Sequence, residues 1–510
     1  MNALVVPNQT KRYVAAGCAA AILLTPGSGT ARATADGFQL FDDHNGYVPA
    51  TFTHAPGPDH IVAATYQLLR YFTKEGALEL EMPFSAFFPG TSGLFYEPKA
   101  IFDTYDQRFM LAGGDYTGFL GFAVSDDDNP HGNWITHYFH VSALLPPQYL
   151  TMPPRNAIIG VDDEAVYVTW DNFGGDEDDT SCMIILNRAE LLAGQNPLAN
   201  VLLTSDIPVA FAAALNYDAN APAQYLATTY GEPIGTSRLT IKAIRNPLGT
   251  PLIDDVVLDL PPFTYAPLDI PQAGTSVQIN SGDSRVHRAV YRDGSLWVVH
   301  HGRPADDSRV LARWYEFHMN GWPESGSQPQ MAQYGHIDPG PGIYTWIPDV
   351  AVDSDGNVGF AYARSAADEL PSVGRAFRRA DDPPGTLSGY AVVKESELPP
   401  FSGGHQWALY SSIGADPAAI GRFIGGGTYR LPTAFGGYTL GMWVAPFSAA
   451  RPGDLDGDGD VDLADAAQFV TCLGGPGAGL SAGCDDADAD GDGDVDLADA
   501  AQFQNRFNGP

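Results

Sequence analysis

The sequence predicts a mainly β chain, a six- or seven-bladed β-propeller followed by a small α-helical metal-binding domain. Short apolar runs separated by polar turns predict the β class. The roughly even spacing of those turns predicts the propeller. An acidic loop that occurs twice near the C-terminus, each time before a helical pattern, predicts the small domain.

Composition is consistent with a protein of many turns and short strands. Of 510 residues, 44% are hydrophobic and only 17% are charged, while Gly 56 and Pro 40 indicate many turns. The net charge of -34 opposes binding to nucleic acid and to anionic membranes, because phosphate groups are bound by Lys and Arg.

The N-terminus has the pattern of a signal peptide. Lys11–Arg12 precede an apolar run, Tyr13–Leu24, and an A-x-A site follows at Ala31–Ala33. We expect residues 1–33 to be removed; a lipoprotein signal at Ala15–Cys18 is the weaker alternative. No other segment is apolar and long enough to span a bilayer. The expected location is extracellular or at the cell surface, where disulfides are permitted.

Hairpins fill the body of the chain. Each consists of an apolar strand, a short polar tip and a second apolar strand. The clearest hairpins are Ala100–Gly114, Ala157–Trp170, Val286–Gly302 and Asp349–Ala363.

The hairpin tips recur at a nearly constant interval. Asp106 and Asp162 are 56 residues apart, and Asp293 and Asp355 are 62 apart. A weaker turn at Tyr230–Pro233 divides the interval between these pairs, and the next interval leads to the turn 414–417. A fixed period in an all-β chain predicts a propeller, here over residues 36–447. Two stacked β-sandwiches or a jelly roll are the alternatives.

Two local features of the body are also predicted. Arg188–Leu192 (RAELL) predicts a short helix, and Cys182 lies in an apolar run that predicts a buried strand thiol.

The acidic loop is followed by the same helix-like segment in both copies, because Asp456–Phe469 recurs unchanged at Asp490–Phe503. Its Asp residues occupy positions 1, 3, 5, 7, 9 and 12 of an EF-hand loop, with Gly459 or Gly493 at position 6. Oxygen ligands at this spacing suit Ca²⁺, and two loops predict two ions. The predicted ligands are Asp454, Asp456, Asp458, Asp460, Asp462 and Asp465 in the first loop, and Asp488, Asp490, Asp492, Asp494, Asp496 and Asp499 in the second. Of these, Asp460 and Asp494 are expected to bind through their carbonyl groups.

Apolar residues follow each loop and are expected to form the core of the domain 454–510, after a linker at 448–453. Position 8 of the loops, Val461 and Val495, predicts a seam between them. Helical spacing predicts facing apolar stripes, and Cys472 and Cys484 flank the connection between the copies, where a disulfide can close it. The predicted stripes are Leu463, Ala467, Val470 and Leu473 in one helix and Leu497, Ala501 and Phe507 in the other. The alternatives are a solvated acidic tail and a thrombospondin-like calcium repeat.

The two loop–helix copies, from Gly453 to about Phe507, resemble a type I dockerin module. The resemblance implies a calcium-folded domain that binds a cohesin-like or cell-envelope protein. Dockerins often carry hydroxyl residues at loop positions 10 and 11, whereas this chain has Leu463-Ala464 and Leu497-Ala498.

The body, from about Tyr96 to Phe447, resembles secreted bacterial propeller proteins without an assigned activity and, more loosely, sialidase-like propellers. The resemblance implies a fold and little else. Ser125–Trp134 and Asp353–Phe360 match the aspartate box of sialidases only in part.

The sequence assigns no catalytic residue in the body, and only a few side chains are candidates. His300-His301 is more typical of core or blade-face histidines, one pointing inward and one outward, than of a metal ligand or an acid/base group. Asp162, Asp163 and Glu164 are more typical of a hairpin tip than of a catalytic pair. The acidic loop 174–179 lacks a ligand spacing. Motifs of serine hydrolases, zinc proteases, P-loop proteins and dinucleotide-binding proteins do not occur.

The sequence therefore favours a display or binding protein, whose calcium-binding tail attaches the propeller to a scaffold or envelope partner, with carbohydrate as a possible propeller ligand. A glycoside hydrolase or polysaccharide lyase with its site in the propeller funnel is the alternative. Two carboxylates about 5–10 Å apart in an aromatic-lined funnel would favour hydrolysis, whereas a funnel closed by apolar side chains would favour binding or structure.

Overall fold

The structure is a computed structural model, and it describes most of the chain. The described residues are 37–43, 51–146, 154–172, 180–203, 211–229, 237–265, 268–398, 411–432, 438–449, 453–455, 461–481, 484, 487–489 and 493–507. The predicted signal peptide and the acidic loop 174–179 lie outside them.

Within this part of the chain, seven four-stranded antiparallel units, each called a sheet below, follow one another, and parallel pairing with a two-residue strand joins the third and fifth into one larger sheet. The last sheet contains the first strand, β1 (Phe38–Asp43). Sheet 1 comprises β2 (Phe52–Pro56), β3 (His60–Thr65), β4 (Leu68–Thr73) and β5 (Leu78–Pro83). Sheet 2 comprises β6 (Phe95–Asp103), β7 (Arg108–Asp115), β8 (Phe119–Ser125) and β9 (Trp134–His140), with α1 (Phe84–Phe87) before it and α2 (Val141–Leu144) after it. Sheet 3 comprises β10 (Arg155–Val161), β11 (Ala165–Asn172), β12 (Thr180–Asn187) and, after α3 (Arg188–Leu192), β13 (Leu198–Leu203).

The remaining sheets repeat this order. Sheet 4 comprises β14 (Ala212–Ala213), β16 (Gln224–Thr228), β17 (Arg238–Arg245) and β18 (Leu252–Asp259), and β15 (Leu215–Asn216) joins the inner strands of its two neighbours. The short strands β19 (Phe263–Thr264), β20 (Leu268–Gln272) and β21 (Thr275–Asn280) lead to sheet 5. Sheet 5 comprises β22 (Arg288–Arg292), β23 (Ser295–Pro304), β24 (Leu311–His318) and β25 (Gln330–Ile337). Sheet 6 comprises β26 (Tyr344–Val352), β27 (Val358–Ala366), β28 (Glu369–Arg378) and β29 (Ser388–Glu395). Sheet 7 comprises β30 (Ser412–Ala415), β31 (Arg422–Pro432), β32 (Tyr438–Ser448) and β1.

The sheets form a closed ring. Apolar side chains pack between each sheet and the next, and the last such cluster joins sheet 7 to sheet 1 through residues such as Ile424 and Phe72. Sheet 7 itself pairs β1 with β32, with Phe38 opposite Val444, so the two ends of the propeller sequence share one sheet. The β-propeller prediction is confirmed.

Burial follows from this packing. Strands near the middle of a sheet touch neighbouring sheets on both faces, so β27 is buried at all nine positions. Edge strands are covered on one face only, so exposure alternates along β18. This difference explains why the inner strands have continuous apolar sequences.

The hairpin tips at Asp106, Asp162, Asp293 and Asp355 all join the first and second strands of a sheet. In sheet 4 that connection falls at residues 217–223, where Asn220 adopts φ 75°. The turn expected at Tyr230–Pro233 lies outside the described residues. Helix α3 spans the five residues predicted, and the Cys182 thiol is buried in β12 as expected.

After β32 the described residues include two helices of ten residues, α4 (Leu463–Cys472) and α5 (Leu497–Arg506). None of the helices in the described part of the chain is long and apolar enough to cross a membrane.

Candidate functional site

The inner strands of the propeller surround a central cavity of about 360 Å³. Its wall comes from β2, β6, β15, β22, β26 and β30, and it extends to the hairpin turns at one end of these strands. Phe102 and Tyr217 are the aromatic side chains among the described lining residues. The cavity is therefore bounded mainly by aliphatic and polar groups.

A buried ion pair lies at the cavity wall, where Arg288 lines the cavity and Asp349 lies behind it. The Arg288 guanidinium donates to both carboxylate oxygens of Asp349, with Nε to Oδ1 at 2.8 Å and Nη2 to Oδ2 at 3.0 Å. The backbone amide of Ile413 also donates to Asp349 Oδ2 at 3.2 Å. Bidentate pairs of this kind are strong and directional, so Asp349 is fully engaged within the protein.

Two further ionisable groups lie near this pair and are held towards their neutral forms. Burial lowers the pKa of His54 to about 4, and its Nε2 lies 3.0 Å from the Ile424 carbonyl oxygen. Burial, with the nearby charge of Arg288, lowers the pKa of Lys99 to about 8. Desolvation penalises the charged form of both side chains.

The acidic residues at the hairpin tips hold the turns together. Asp353, which lines the cavity, accepts hydrogen bonds from the amides of Asp355, Asn357 and Gly421 at 2.7–3.0 Å. Asp416, which also lines it, is paired with Lys74 at 2.7 Å.

The predicted tip residue Asp162 has the same role in sheet 3. Its Oδ1 accepts from the amides of Glu164 and Ala165, and its Oδ2 accepts from the Tyr167 hydroxyl at 2.6 Å. Burial raises the pKa of Asp162 to about 6. Asp163 and Glu164 are exposed beside it. The turn interpretation of this acidic group is supported by these contacts.

The histidine pair is part of the core. His300 and His301 are both buried, although adjacent strand residues usually point to opposite faces, because sheet 5 is covered on both sides. His300 Nε2 lies 3.1 Å from the Tyr315 hydroxyl. His301 Nδ1 accepts from the Ile347 amide at 3.3 Å and lies 3.2 Å from His287 Nε2. Burial lowers the pKa of His301 to about 4.

At the C-terminus, the second acidic loop brings carboxylates together. Oxygens of Asp494, Asp496 and Asp499, at loop positions 7, 9 and 12, lie within 4.8 Å of one another. Asp488, at position 1 of the same loop, accepts from the Gly493 amide at position 6 at 3.0 Å. Asp494 also accepts from the Gly477 amide in the connection between the copies. This arrangement can hold a cation.

The last aspartate of each loop is fully buried and fixes the start of the following helix. Asp465 accepts from the Leu455 amide at 2.5 Å and from the Asp462 amide at 2.8 Å. Asp499 accepts from the amides of Ala489 and Asp496, both at 2.7 Å. Each forms a capping box with the aspartate three residues earlier. The two loops thus close in the same way.

The predicted calcium ligands are described in part. Seven of them are present in the described residues: Asp454, Asp462, Asp465, Asp488, Asp494, Asp496 and Asp499. The other five lie outside these residues: Asp456, Asp458, Asp460, Asp490 and Asp492.

Residues 452–508 match the family model described as the dockerin type I domain. The C-terminal segment is a dockerin type I domain. Dockerin domains bind calcium and cohesin domains, and proteins that contain them are typically extracellular. The resemblance seen in the sequence is therefore confirmed, and this domain is an anchoring module.

Comparison of the whole chain with solved structures finds only distant similarities. An α-L-arabinofuranosidase from Fusarium graminearum matches with 9% identity and a TM-score of 0.38, over 80% of this chain and 98% of that one. An endo-arabinase from Bacteroides thetaiotaomicron matches with 11% identity and a TM-score of 0.32, over 57% and 95%. A mutant of AofleA from Arthrobotrys oligospora matches with 12% identity and a TM-score of 0.36, over 68% and 86%. These similarities carry no argument about activity or ligand. No curated protein matches the chain.

The dockerin core differs from the predicted stripes. Phe469 and Phe503 stack with centroids 4.9 Å apart and pack on Val461 and Val495. The seam between the valines is thus confirmed, but the stripe prediction is wrong. Its larger members are exposed: Leu463 73%, Val470 66%, Leu473 42%, Leu497 80% and Phe507 41%. The buried position-12 aspartate sets the inner face of each helix, and the phenylalanine four residues later shares that face.

The dockerin connection is closed covalently. Cys472 at the end of α4 and Cys484 form a disulfide with Cα atoms 5.5 Å apart. Cys472 also packs against the core. The bond ties the first helix to the segment that precedes the second loop, which a core of this size needs.

Sequence reasoning missed the Arg288–Asp349 pair. Its members are 61 residues apart, so they lie in the inner strands of successive sheets. The hairpin repeat is the signal that could have found these charged residues, because Lys99, Arg288 and Asp349 each lie in a first strand, about five to seven residues before a tip aspartate.

Proposed function

We propose that the chain is an exported, calcium-dependent attachment protein. Its dockerin domain, residues 454–510, fixes a propeller, residues 36–447, to a cohesin-bearing scaffold or envelope partner through the linker 448–453. Residues 1–33 act as the export signal. The observation that carries this proposal is the pair of loops closed on buried aspartates beneath a shared phenylalanine core.

Calcium is proposed to occupy both loops, with the twelve aspartates at positions 1, 3, 5, 7, 9 and 12 as the ligand set. Support comes from the second loop, where three carboxylates converge on one point. A bound cation would offset the repulsion between these charges. The identical Asp456–Phe469 and Asp490–Phe503 segments support the same role for the first loop.

The partner-binding surface is proposed to be apolar. Leu463 and Leu497, at loop position 10 of each copy, are 73% and 80% exposed. Val470 is also exposed and lies seven residues after Leu463, on the same face of α4. Exposed apolar side chains of this size mark interaction sites when they cluster. We infer a cohesin-type partner whose binding surface is apolar at this place. It would lack the hydrogen-bonding groups that contact hydroxyl residues at positions 10 and 11 of other dockerins.

The propeller is proposed to bind or display a ligand. Within the described lining of the cavity, Asp353 and Asp416 are engaged in a turn and an ion pair, and the nearby Asp349 is paired with Arg288. Hydrolysis of a glycosidic bond needs two available carboxyl groups. These contacts therefore favour binding over hydrolysis.

One observation favours the alternative, a polysaccharide lyase. Lys99 has a pKa of about 8 and lies near Arg288, and an amine with such a pKa is suited to abstract a proton. If the propeller is an enzyme, Lys99 is the proposed base, whereas Arg288 is committed to Asp349.

The proposal is tested with the mature chain and a panel of cohesin domains in biolayer interferometry. We expect at least one cohesin to bind in Ca²⁺ and to dissociate in EDTA. In a parallel arm, the same protein is incubated with polysaccharides, and both bound protein and released ends are measured. Failure to bind any cohesin in Ca²⁺ would contradict the attachment role, and unsaturated ends that disappear in Lys99→Met would replace display with the lyase alternative.

A further inference from the structure

Three metal-ligating side chains meet away from both the cavity and the dockerin domain. His60 lies at the start of β3, Glu79 lies in β5, and His131 lies in the loop between β8 and β9. His131 Nε2 is 3.0 Å from Glu79 Oε2, and His60 Nε2 is 3.4 Å from the same oxygen. All three ligand atoms lie within 4.8 Å of one another. Two sheets thus contribute to one group.

A β-bulge directs Glu79 to this place. Tyr71 pairs with Leu80 and Phe72 pairs with Leu78, so Glu79 is the additional residue without a cross-strand partner. A bulge of this kind turns a side chain away from the regular alternation of the strand. The carboxylate can therefore lie beside His60, whose strand is separated from β5 by β4.

The loop that carries His131 is fixed by its own hydrogen bonds. The His131 amide donates to Asn129 Oδ1 at 3.0 Å, and the Trp134 indole donates to the Pro130 carbonyl at 2.9 Å. The His131 ring packs edge-on against Tyr71, with centroids 5.4 Å apart. The imidazole is thus oriented before any ligand arrives.

The spacing of these atoms fits a transition metal. Zinc bonds of about 2.0–2.1 Å at tetrahedral angles place ligand atoms about 3.3 Å apart. The two measured separations from Glu79, 3.0 and 3.4 Å, bracket that distance. Two imidazoles and one carboxylate suit zinc and its neighbours in the first row, whereas Ca²⁺ prefers oxygen ligands alone.

We propose that His60, Glu79 and His131 form a binding site for a divalent transition metal of the zinc class. The side chains are 19–33% exposed, so solvent or an external ligand completes the coordination. The site joins sheet 1 to the loop of sheet 2, and bound metal stabilises that junction. It is separate from the calcium loops in both ligand chemistry and position in the chain.

The test uses the untagged mature protein, with Ca²⁺ in large excess to occupy the C-terminal loops. Zn²⁺ is titrated by calorimetry, and metal content after dialysis is measured by mass spectrometry. We expect one Zn²⁺ per chain beyond the calcium, and His60→Ala or His131→Ala should weaken it at least about tenfold, as expected for loss of a ligand. Thermal unfolding without metal checks that each variant is folded.

His318→Ala provides the matched control. His318 is exposed and lies 3.6 Å from Glu316, as a single His–Glu pair without a second imidazole. Its removal should leave Zn²⁺ binding unchanged. Unchanged Zn²⁺ uptake in the folded His60→Ala/His131→Ala double variant, or no uptake by the wild-type protein, would show that the group is only a hydrogen-bonded cluster and would overturn the proposal.

Discussion

Replacement of Asp499 by Asn tests how the dockerin loop is closed. The carboxylate is fully buried and accepts two amide hydrogen bonds at 2.7 Å, one from each end of the second loop. Hydrogen bonds to a charged group contribute about 1.5–3 kcal/mol each. Asn keeps one acceptor, but its NH₂ group then faces an amide donor, and one ligand charge is lost.

We therefore expect Asp499→Asn to weaken Ca²⁺ binding at the second loop by about 2–4 kcal/mol, which is about 30- to 1,000-fold. Calorimetric titration of the mature chain with Ca²⁺ measures the affinity of each loop. The first loop should keep its affinity and so serves as an internal control for correct folding. Asp465→Asn should have the same effect on the first loop. Gln504→Ala, an exposed change on the same helix α5, is the control. Wild-type affinity at both loops in Asp499→Asn would refute the loop-closing role.

Three further outcomes are expected. Leu463→Asp with Leu497→Asp should reduce cohesin affinity at least about tenfold while Ca²⁺ affinity is kept, since both side chains are exposed; equal binding in interferometry would contradict an apolar partner surface. Cys472→Ser with Cys484→Ser should lower the free energy of unfolding of the dockerin domain by about 2–3 kcal/mol, as measured in urea in the presence of Ca²⁺; an unchanged midpoint would contradict a stabilising bond. The propeller should be less stable at pH 5 than at pH 7.5, because unfolded histidines bind protons below their ordinary pKa of 6.5, whereas burial lowers the pKa of His54 to about 4. Between pH 7.5 and pH 5 that residue alone contributes about 2 kcal/mol, and His54→Gln should flatten the dependence in urea titrations.

Local patterns made the repeated features of the fold predictable. Hairpin tips such as Asp162 and Asp355 combine turn-forming residues with flanking apolar strands, and the short helix α3 begins at the capping residue Asn187. The regular spacing of the hairpin tips is interrupted in sheet 4. In sheet 4 the inner strand is split into β14 and β15, so no long apolar run marks it and the turn near Asn220 is not recognised.

The functional groups likewise include some that the sequence predicts and some that it does not. Calcium-loop residues are close in sequence, so their spacing alone reveals the ligand chemistry. His60, Glu79 and His131 are distant in sequence, and a bulge brings one of them into place, so no spacing rule can find them. The exposed Leu463 and Leu497 show a further limit, because helical periodicity identifies an apolar stripe but not whether a buried aspartate turns that stripe outward.

Hydrogen–deuterium exchange on the mature chain, with Ca²⁺ and with EDTA, tests the central claim most directly. If calcium folds the dockerin domain and leaves the propeller as an independent scaffold, peptides from 454–507 should gain strong protection in Ca²⁺, while peptides from β1 to β32 should exchange equally in both conditions. Equal exchange of the 454–507 peptides with and without Ca²⁺, or calcium-dependent protection spread through the propeller strands, would contradict the account.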